Sequence, residues 1–190
     1  MVDATCAPES ATTKCAPVLF VMVGLMASGK STRAQQIEEE RRALRLTPDE
    51  WMIPLFNDND ANRKLNVLEG RFIWLALRAL HHGIDVVLEF GALGTDERTA
   101  LRALAAAVGG SSKRVYLEIH EDQQRRGLDR RAFEEPETTF YITDVDLEEY
   151  RRRFVPPDDA EVSTAVLDPP PAGYTRWRSW ASAWWPTLMQ

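Results

Sequence analysis

Basic charge is in deficit in this 190-residue chain. Its 23 lysines and arginines face 29 aspartates and glutamates, a formal net charge of −6. That excludes the global positive field that holds nucleic acid by its phosphates, though not a local basic groove. Cysteine is scarce: Cys6 and Cys15 both lie near the N-terminus, with no histidine or second cysteine pair at metal-ligand spacing beside them, which argues against a zinc site. The two could pair, but nothing marks the chain as secreted. The longest apolar run, Val18 to Met26, is far too short to span a bilayer. The first 17 residues lack a basic segment followed by an apolar one, so no signal peptide is expected. These absences predict a soluble cytoplasmic protein with reduced thiols and no membrane partner. Histidine is also rare; His81, His82 and His120 form no partner pattern and are assigned no catalysis.

What remains is ordinary globular composition, 44% hydrophobic and 27% charged, in a length that suits one domain with a core of its own. Residues 1–16 are small and polar and read as a mobile arm. Val18–Val23 is a continuous apolar run, the mark of a strand buried on both faces of a parallel sheet. A helix is predicted from Lys30 to about Leu44, and a short strand over Leu44–Leu46. Leu65, Leu68, Phe72, Leu75, Ala76 and Ala79 then recur at helical spacing within residues 60–82, stopped by Gly83. Further strands are expected over 85–90, 114–119 and 164–167. Further helices are expected over 96–108 and 144–154, with an Arg-rich helix or lid over 121–132. Alternating strands and helices with short links predict an α/β fold in three layers around a mostly parallel sheet. Three prolines at 169–171 set off a tail, giving an arm (1–16), a domain (17–168) and a Pro/Trp-rich tail (169–190).

One segment carries chemistry on its own. Gly24-Leu-Met-Ala-Ser-Gly29-Lys30-Ser31 fits G-x-x-x-x-G-K-[ST] and lies between a buried strand and a helix, the context this loop requires. Glycines let backbone N–H groups wrap a phosphate, and the helix N-terminus adds its positive end. Gly24, Ala27, Ser28, Gly29, Lys30, Ser31 and Thr32 are therefore the candidate nucleotide contacts. Lys30 is expected to reach the β- and γ-phosphates and Ser31 to ligate Mg²⁺. ATP with Mg²⁺ is the expected cofactor, since no N-K-x-D favours GTP.

The loop alone does not define the reaction. Asp49 follows the second strand in Thr47-Pro48-Asp49-Glu50-Trp51, at the strand ends that open on the phosphate loop. It reads as a base aimed at an acceptor hydroxyl, or else as a helix N-cap. Glu89 ends the third strand and reads as a carboxylate that holds a magnesium-bound water, or as a solvent-facing strand end. Arg126 and Arg130, four residues apart beside Arg125 and Arg131, read as a phosphate clamp or as a solvated basic face.

These pieces resemble small bacterial P-loop kinases, often called AAA-family ATP-binding proteins, related to chloramphenicol phosphotransferase and more distantly to zeta toxins. The resemblance runs from about Val18 to Phe154, more weakly to Glu161. It rests on Gly24–Ser31, on Leu46-Thr-Pro-Asp-Glu-Trp51 with Leu55-Phe56, and on Gly83-Ile-Asp-Val-Val-Leu-Glu-Phe-Gly91. It continues through Glu97-Arg98, Arg126 with Arg130, Leu147-Glu-Glu-Tyr150 and Phe154-Val-Pro-Pro157. It implies a nucleotide-kinase-like P-loop NTPase fold and ATP-dependent phosphorylation of a hydroxyl. Asp49 then stands at the acceptor-side base and Arg126 and Arg130 in the lid, with Trp51, Glu89 and Arg98 on the substrate side. Two departures stand out. The family usually has Asp where this chain has Glu89. It also often has an aromatic and an arginine where this chain reads Ala92-Leu93-Gly94-Thr95. A small apolar loop there suits a bulky or partly apolar acceptor, such as an antibiotic or nucleoside.

Trp51, Phe56, Arg71 and Trp74 are candidates to cover that acceptor, Trp74 reading more simply as core. Four of the six tryptophans lie in the tail, and 177, 180, 181 and 184 form one helical stripe that packs on its own domain or on a second copy. The expected function is a small-molecule kinase without stable nucleic-acid binding. The rivals are a polynucleotide or tRNA kinase on the same loop, and a non-catalytic ATP-dependent regulator with the Trp-rich tail as its contact surface.

Overall fold

The computed structural model describes residues 16–56, 64–92, 94–134, 142–158, 161 and 167–189. The arm expected over 1–16 lies outside these residues except for Ala16. So does the strand expected over 164–167 except for Leu167, which is not in a strand.

Strand β1 (Val18–Val23) is apolar at every position because it is covered on both faces. Leu19, Val21 and Val23 face one core, Phe20 and Met22 the other. It pairs in parallel with β3 (Val86–Gly91) on one side and β4 (Ser111–Tyr116) on the other, and β3 pairs in parallel with β2 (Leu44–Leu46). The order is β2-β3-β1-β4. Helix α1 (Lys30–Arg41) covers one face through Ala34 and Ile37. It ends where Arg42 turns into the left-handed region (φ 52°) and sends its N–H back to Glu38 O. Helices α3 (Lys64–His81) and α4 (Thr95–Ala107) cover the opposite face, completing the three layers the sequence predicts. The remaining helices are α2 (Pro48–Phe56), α5 (Glu121–Glu134), α6 (Asp144–Arg153) and α7 (Trp177–Trp184). Among the described residues no helix is long and apolar enough to cross a membrane.

Two expectations change. β4 lies three residues earlier than predicted. The apolar alternation of Val115, Leu117 and Ile119 suggests a later strand, but the ladder with β1 runs from Val18↔Ser111 to Val23↔Tyr116. Register follows the partner strand, and the polar Ser111–Lys113 is accommodated on a strand of alternating exposure. The tail, in turn, packs on its own domain, one of the two alternatives expected for its tryptophan stripe, but through a different set of residues. Trp177, Trp180, Ala181, Trp185 and Leu188 belong to the same buried cluster as β1, α3 and α4. The buried stripe passes through Trp185 and not Trp184, which stacks on Trp180 (centroids 5.5 Å apart) and stays 40% exposed. The segment is tied down by Trp185 Nε1 donating to Glu69 Oε2 at 3.0 Å and Arg71 Nη1 donating to Thr187 O at 3.0 Å. It thus covers the outer side of α3 and α4.

Candidate functional site

All four strands end on one edge, and the glycine loop follows the central one. Gly24 sits where three strand ends meet: its N–H points at Gly91 O (3.5 Å), and a Cβ placed on it would lie 2.5 Å from Leu117 O and 2.9 Å from Ser28 Oγ. Its φ of 148° is also one that side chains rarely adopt, so glycine is required on two counts. Ala27 (φ 61°) and Gly29 (φ 88°) turn the loop through left-handed conformations into α1. Among the described residues no side chain caps the first turn of α1, so its N–H groups face the concavity of the loop. Ser28 Oγ is buried there with no hydrogen-bond partner among the described residues, and Lys30 Nζ bridges the loop to Leu25 O at 2.8 Å. A cradle closed to a Cβ, an uncapped helix end, an orphaned hydroxyl and a lysine form a set of donors that fits a polyphosphate.

Glu89 anchors the polar side of the crevice. Its side chain is 5% exposed and accepts from Ser31 Oγ at 2.5 Å through Oε1 and from Thr47 Oγ1 at 3.0 Å through Oε2. The reading of Glu89 as a solvent-facing strand end is thereby removed, and its carboxylate is brought to the Ser31 hydroxyl, the two residues expected at magnesium. One hydroxyl and one carboxylate oxygen in contact at the end of a phosphate loop are a hard-oxygen pair suited to Mg²⁺, which keeps most of its waters. Among the described residues no cluster of three or more His, Cys, Asp or Glu is placed to hold a metal by itself.

Arg45, absent from the sequence-based candidates, is the hub behind Glu89. Its Nη1 donates to Thr47 Oγ1 at 2.7 Å and lies 3.4 Å from Glu89 Oε2. Its Nε donates to Glu38 Oε2 at 2.8 Å and its Nη2 to Glu50 Oε1 at 2.5 Å. Burial works to lower the Arg45 pKa, but the hydrogen bonds and charges of Glu38 and Glu50 outweigh it and raise the pKa above the usual guanidinium value. One cation thus ties α1, β2, α2 and β3 together beneath the crevice.

Asp49 stands in the first turn of α2. Pro48 holds the first helical position and Thr47 O accepts from Glu50 N at 3.3 Å, so the cap position belongs to Thr47 and the N-cap reading of Asp49 falls. Asp49 is exposed, at the end of a strand separated from β1 only by β3. At ~4.8 Å per strand spacing the ends of β2 and β1 lie about 10 Å apart. Trp51, 46% exposed, packs edge-on against Phe72 (5.3 Å), which stacks on Phe90 at the end of β3 (6.2 Å). Of these rings Trp51 alone is exposed, on the β2–β3 side, with buried Phe72 and half-buried Phe90 behind it.

Helix α5 lies against the other side. A Cβ at Gly127 would come within 2.9 Å of Ala27 Cβ, so the helix touches the loop itself. Gln124 and Leu128 are buried, Arg151 Nε donating to Gln124 Oε1 at 2.9 Å. At ~100° per residue, Arg130 sits about 60° and Arg126 about 100° round from Gly127, on the side away from that buried pair. Both are exposed: Arg126 Nε donates to Asp122 O at 3.0 Å and Arg130 lies 3.8 Å from Glu134. Arg125 is engaged by Asp144, and the Arg131 side chain lies outside the described residues.

Arg98 is not brought to the crevice surface. It is buried at 3% exposure. Its Nε and Nη2 pair with both oxygens of Glu161 (2.8 and 3.0 Å), and its Nη1 donates to Ala92 O at 2.9 Å. That geometry ties down the loop after β3 and offers an acceptor no open guanidinium face. Trp74 and Arg71 also leave the acceptor region: Arg71 and Arg78 lie over the Trp74 ring at 4.4 and 4.8 Å, beneath the C-terminal segment.

A parallel sheet ordered 2-3-1-4, a glycine loop between its central strand and a helix, and a carboxylate one strand away define a P-loop protein of kinase-like fold. More particularly, the chain belongs to the AAA domain family, whose model matches residues 19–157. The match carries the resemblance to small P-loop kinases without singling out the chloramphenicol phosphotransferase group. No curated protein sequence matches the chain. Among solved structures, a chain of the Pnkp1/Rnl/Hen1 RNA repair complex superposes with a TM-score of 0.63 at 16% identity, over 75% of this chain and 45% of that one. This chain thus spans less than half of that relative. A Chloroflexus aurantiacus protein assigned as a kinase gives 0.56 at 18% identity, over 73% and 77%. A gluconokinase from Sinorhizobium meliloti 1021 gives 0.47 at 19%, over 91% and 92%. At these identities the likeness is one of fold.

Proposed function

We propose that this protein is an ATP-dependent kinase that transfers the γ-phosphoryl group to a hydroxyl of a small, partly aromatic molecule. The observation that carries the reading is the chain of contacts Ser31–Glu89–Thr47. It joins the start of α1 and the ends of β3 and β2, which supports reading Asp49, two residues after Thr47, as the group on the acceptor side of the phosphate loop. Nucleotide-binding proteins that only switch need no carboxylate on the acceptor side, whereas a kinase needs a base there.

ATP with Mg²⁺, when bound, supplies the phosphoryl group and the cation that shields its charge. The chain's own residues do the rest. The N–H groups of the loop and of the first turn of α1 hold phosphate oxygens. Lys30, which donates to Leu25 O, would turn to them, and Ser31 and Glu89 would hold the cation and its waters. Asp49 orients the acceptor hydroxyl and takes its proton, while Trp51, with Phe72 and Phe90 behind it, stacks on the acceptor's ring. Arg126 and Arg130, on the helix that touches Ala27, close over the phosphates and neutralise the charge that spreads over the moving group. Long nucleic acid is disfavoured by the net charge of −6.

The test is mass spectrometry of products after incubation with Mg·ATP and a panel of phenicols, aminoglycosides, nucleosides, sugars and short 5′-hydroxyl RNA. Wild type phosphorylates one aromatic acceptor. Lys30→Ala makes no product, and Asp49→Asn binds ATP without transfer. Transfer to the RNA end alone replaces the small-molecule reading, and ATP-dependent partner capture without any phosphorylated product replaces the kinase with a regulator.

A further inference from the structure

A second cavity lies away from the phosphate loop, at the last turns of α3 and α4, next to the starts of β3 and β4 and under the C-terminal segment. Its volume is about 640 Å³, inside the roughly 300–1,000 Å³ of sites that take small organic ligands. The wall is apolar: Trp74 and Leu77 from α3, Leu104 from α4 and Val108 just after it, Trp177 and Leu188 from the C-terminal segment. The charged lining has one sign. Arg78 comes from α3 and Arg178 from α7, with His81 at the end of α3 and His82 just after it, and among the described residues no carboxylate lines the cavity. This runs against a chain whose acids outnumber its bases. Among the described residues neither arginine has an acidic partner. The Arg78 guanidinium lies over the Trp74 indole at 4.8 Å and Arg178 Nη2 lies 3.3 Å from the Met189 sulfur.

We propose that this cavity binds a single-chain amphipathic carboxylate, its alkyl chain along Leu77, Leu104 and Leu188 and its head group between Arg78 and Arg178. The apolar wall supplies affinity that grows with each buried methylene. The two guanidinium groups supply charge-assisted hydrogen bonds that a neutral or cationic chain cannot match. The hollow is walled by three segments and opens to solvent on the side of Arg78 and Arg178, so a head group held there stays at the surface while the chain lies along the apolar wall. The site is independent of the phosphate loop, which lies at the opposite ends of the strands.

Isothermal titration of the full chain with dodecanoate tests this, with dodecanol, dodecyltrimethylammonium and butanoate as comparators. One dodecanoate site is expected, at least about tenfold tighter than dodecanol, a difference of about 1.4 kcal/mol, with butanoate and the cation silent. The double variant Arg78→Gln/Arg178→Gln brings dodecanoate down to the alcohol's affinity. Ala107→Trp, which fills the hollow from an exposed position, removes both, and both variants keep wild-type ATP binding as evidence of folding. Equal affinity for acid and alcohol, binding that survives Ala107→Trp, or no dodecanoate binding overturns the proposal. So does a wild-type dimer in sedimentation that Ala107→Trp dissociates, or binding only to anionic vesicles.

Discussion

Glu89→Gln separates the two duties of the buried carboxylate. The substitution keeps the shape and removes the charge. Ser31 and Thr47 keep a hydrogen-bonding partner, but each bond passes from charge-assisted (about 1.5–3 kcal/mol) to neutral (about 0.5–1.5), a loss near 1 kcal/mol each. The contact with Arg45 at 3.4 Å is long, and Arg45 retains Glu38 at 2.8 Å and Glu50 at 2.5 Å. The penalty of about 3–5 kcal/mol for orphaning a buried ion therefore does not apply. The net loss is about 2 kcal/mol, which at ~2–4 °C per kcal/mol for a domain of this size lowers Tm by about 4–8 °C. Nucleotide binding without magnesium is retained. The Mg²⁺ concentration for half-maximal transfer rises about 10–100-fold, the usual effect of losing a group that orients a metal's ligands. Differential scanning fluorimetry, nucleotide binding by fluorescence and a magnesium titration of product formation read the three quantities. Wild-type magnesium dependence in a variant of lowered Tm would refute a role at the cation and leave Glu89 as a brace. A Tm loss well beyond 8 °C would show that Arg45 depends on Glu89 more than on the other two acids.

Three further outcomes follow from the packing. Gly127→Ala improves helix propensity by about 1 kcal/mol but sets two Cβ atoms 2.9 Å apart at the loop–α5 contact. Transfer falls about 10–100-fold while Tm stays level or rises, and undiminished transfer would detach α5 from the mechanism. Trp185→Ala removes a ring that is 2% exposed and its bond to Glu69, at about 3–5 kcal/mol, so Tm drops by about 6–20 °C. A drop under 2 °C would make the C-terminal segment an appendage. The Asp146 pKa is held below the usual value by hydrogen bonds from the Thr143 side chain and backbone. The cap of α6 therefore contributes fully above the ordinary aspartate value of about 3.9 and is lost as pH falls through the lowered one. Amide exchange at 144–147 should quicken only in that acid range, and exchange that is already fast at neutral pH would show the cap does not hold.

How far the site could be read from the chain depends on the kind of signal each residue leaves. The phosphate loop was legible because its glycines, lysine and serine come within eight consecutive positions and its strand and helix flank them. The assignment of Asp49 turned on Pro48, whose fixed φ and missing N–H suit the first helical position and leave the cap to Thr47. Arg45 leaves a weaker trace. Leu44 and Leu46 face the core and Arg45 the other side, while on β3 Val86 and Leu88 face that core and Glu89 the other side. Period-two alternation thus puts Arg45 and Glu89 on one face, and the register Arg45↔Val87 makes them diagonal neighbours. Parity was readable, but the pairing of β2 with β3 was needed to use it. Arg98 shows the opposite case. A charged residue near a strand end invites a place in the site, yet its partner Glu161 is 63 positions away and no periodicity links them. Trp184 and Trp185 differ for a local reason. The helix stops at Trp184, so the 3.6-residue period that selects 177, 180, 181 and 184 no longer governs the next residue. Trp185 turns inward to Glu69, and Trp184 is left to close over Trp180 and reach Glu97 at 3.1 Å. Hydrophobic period reports the face of an element only while the element lasts. Polar ties such as Arg45–Glu89 and Arg98–Glu161 report which elements meet, and both of these hold the loops and strand ends on which the crevice is built.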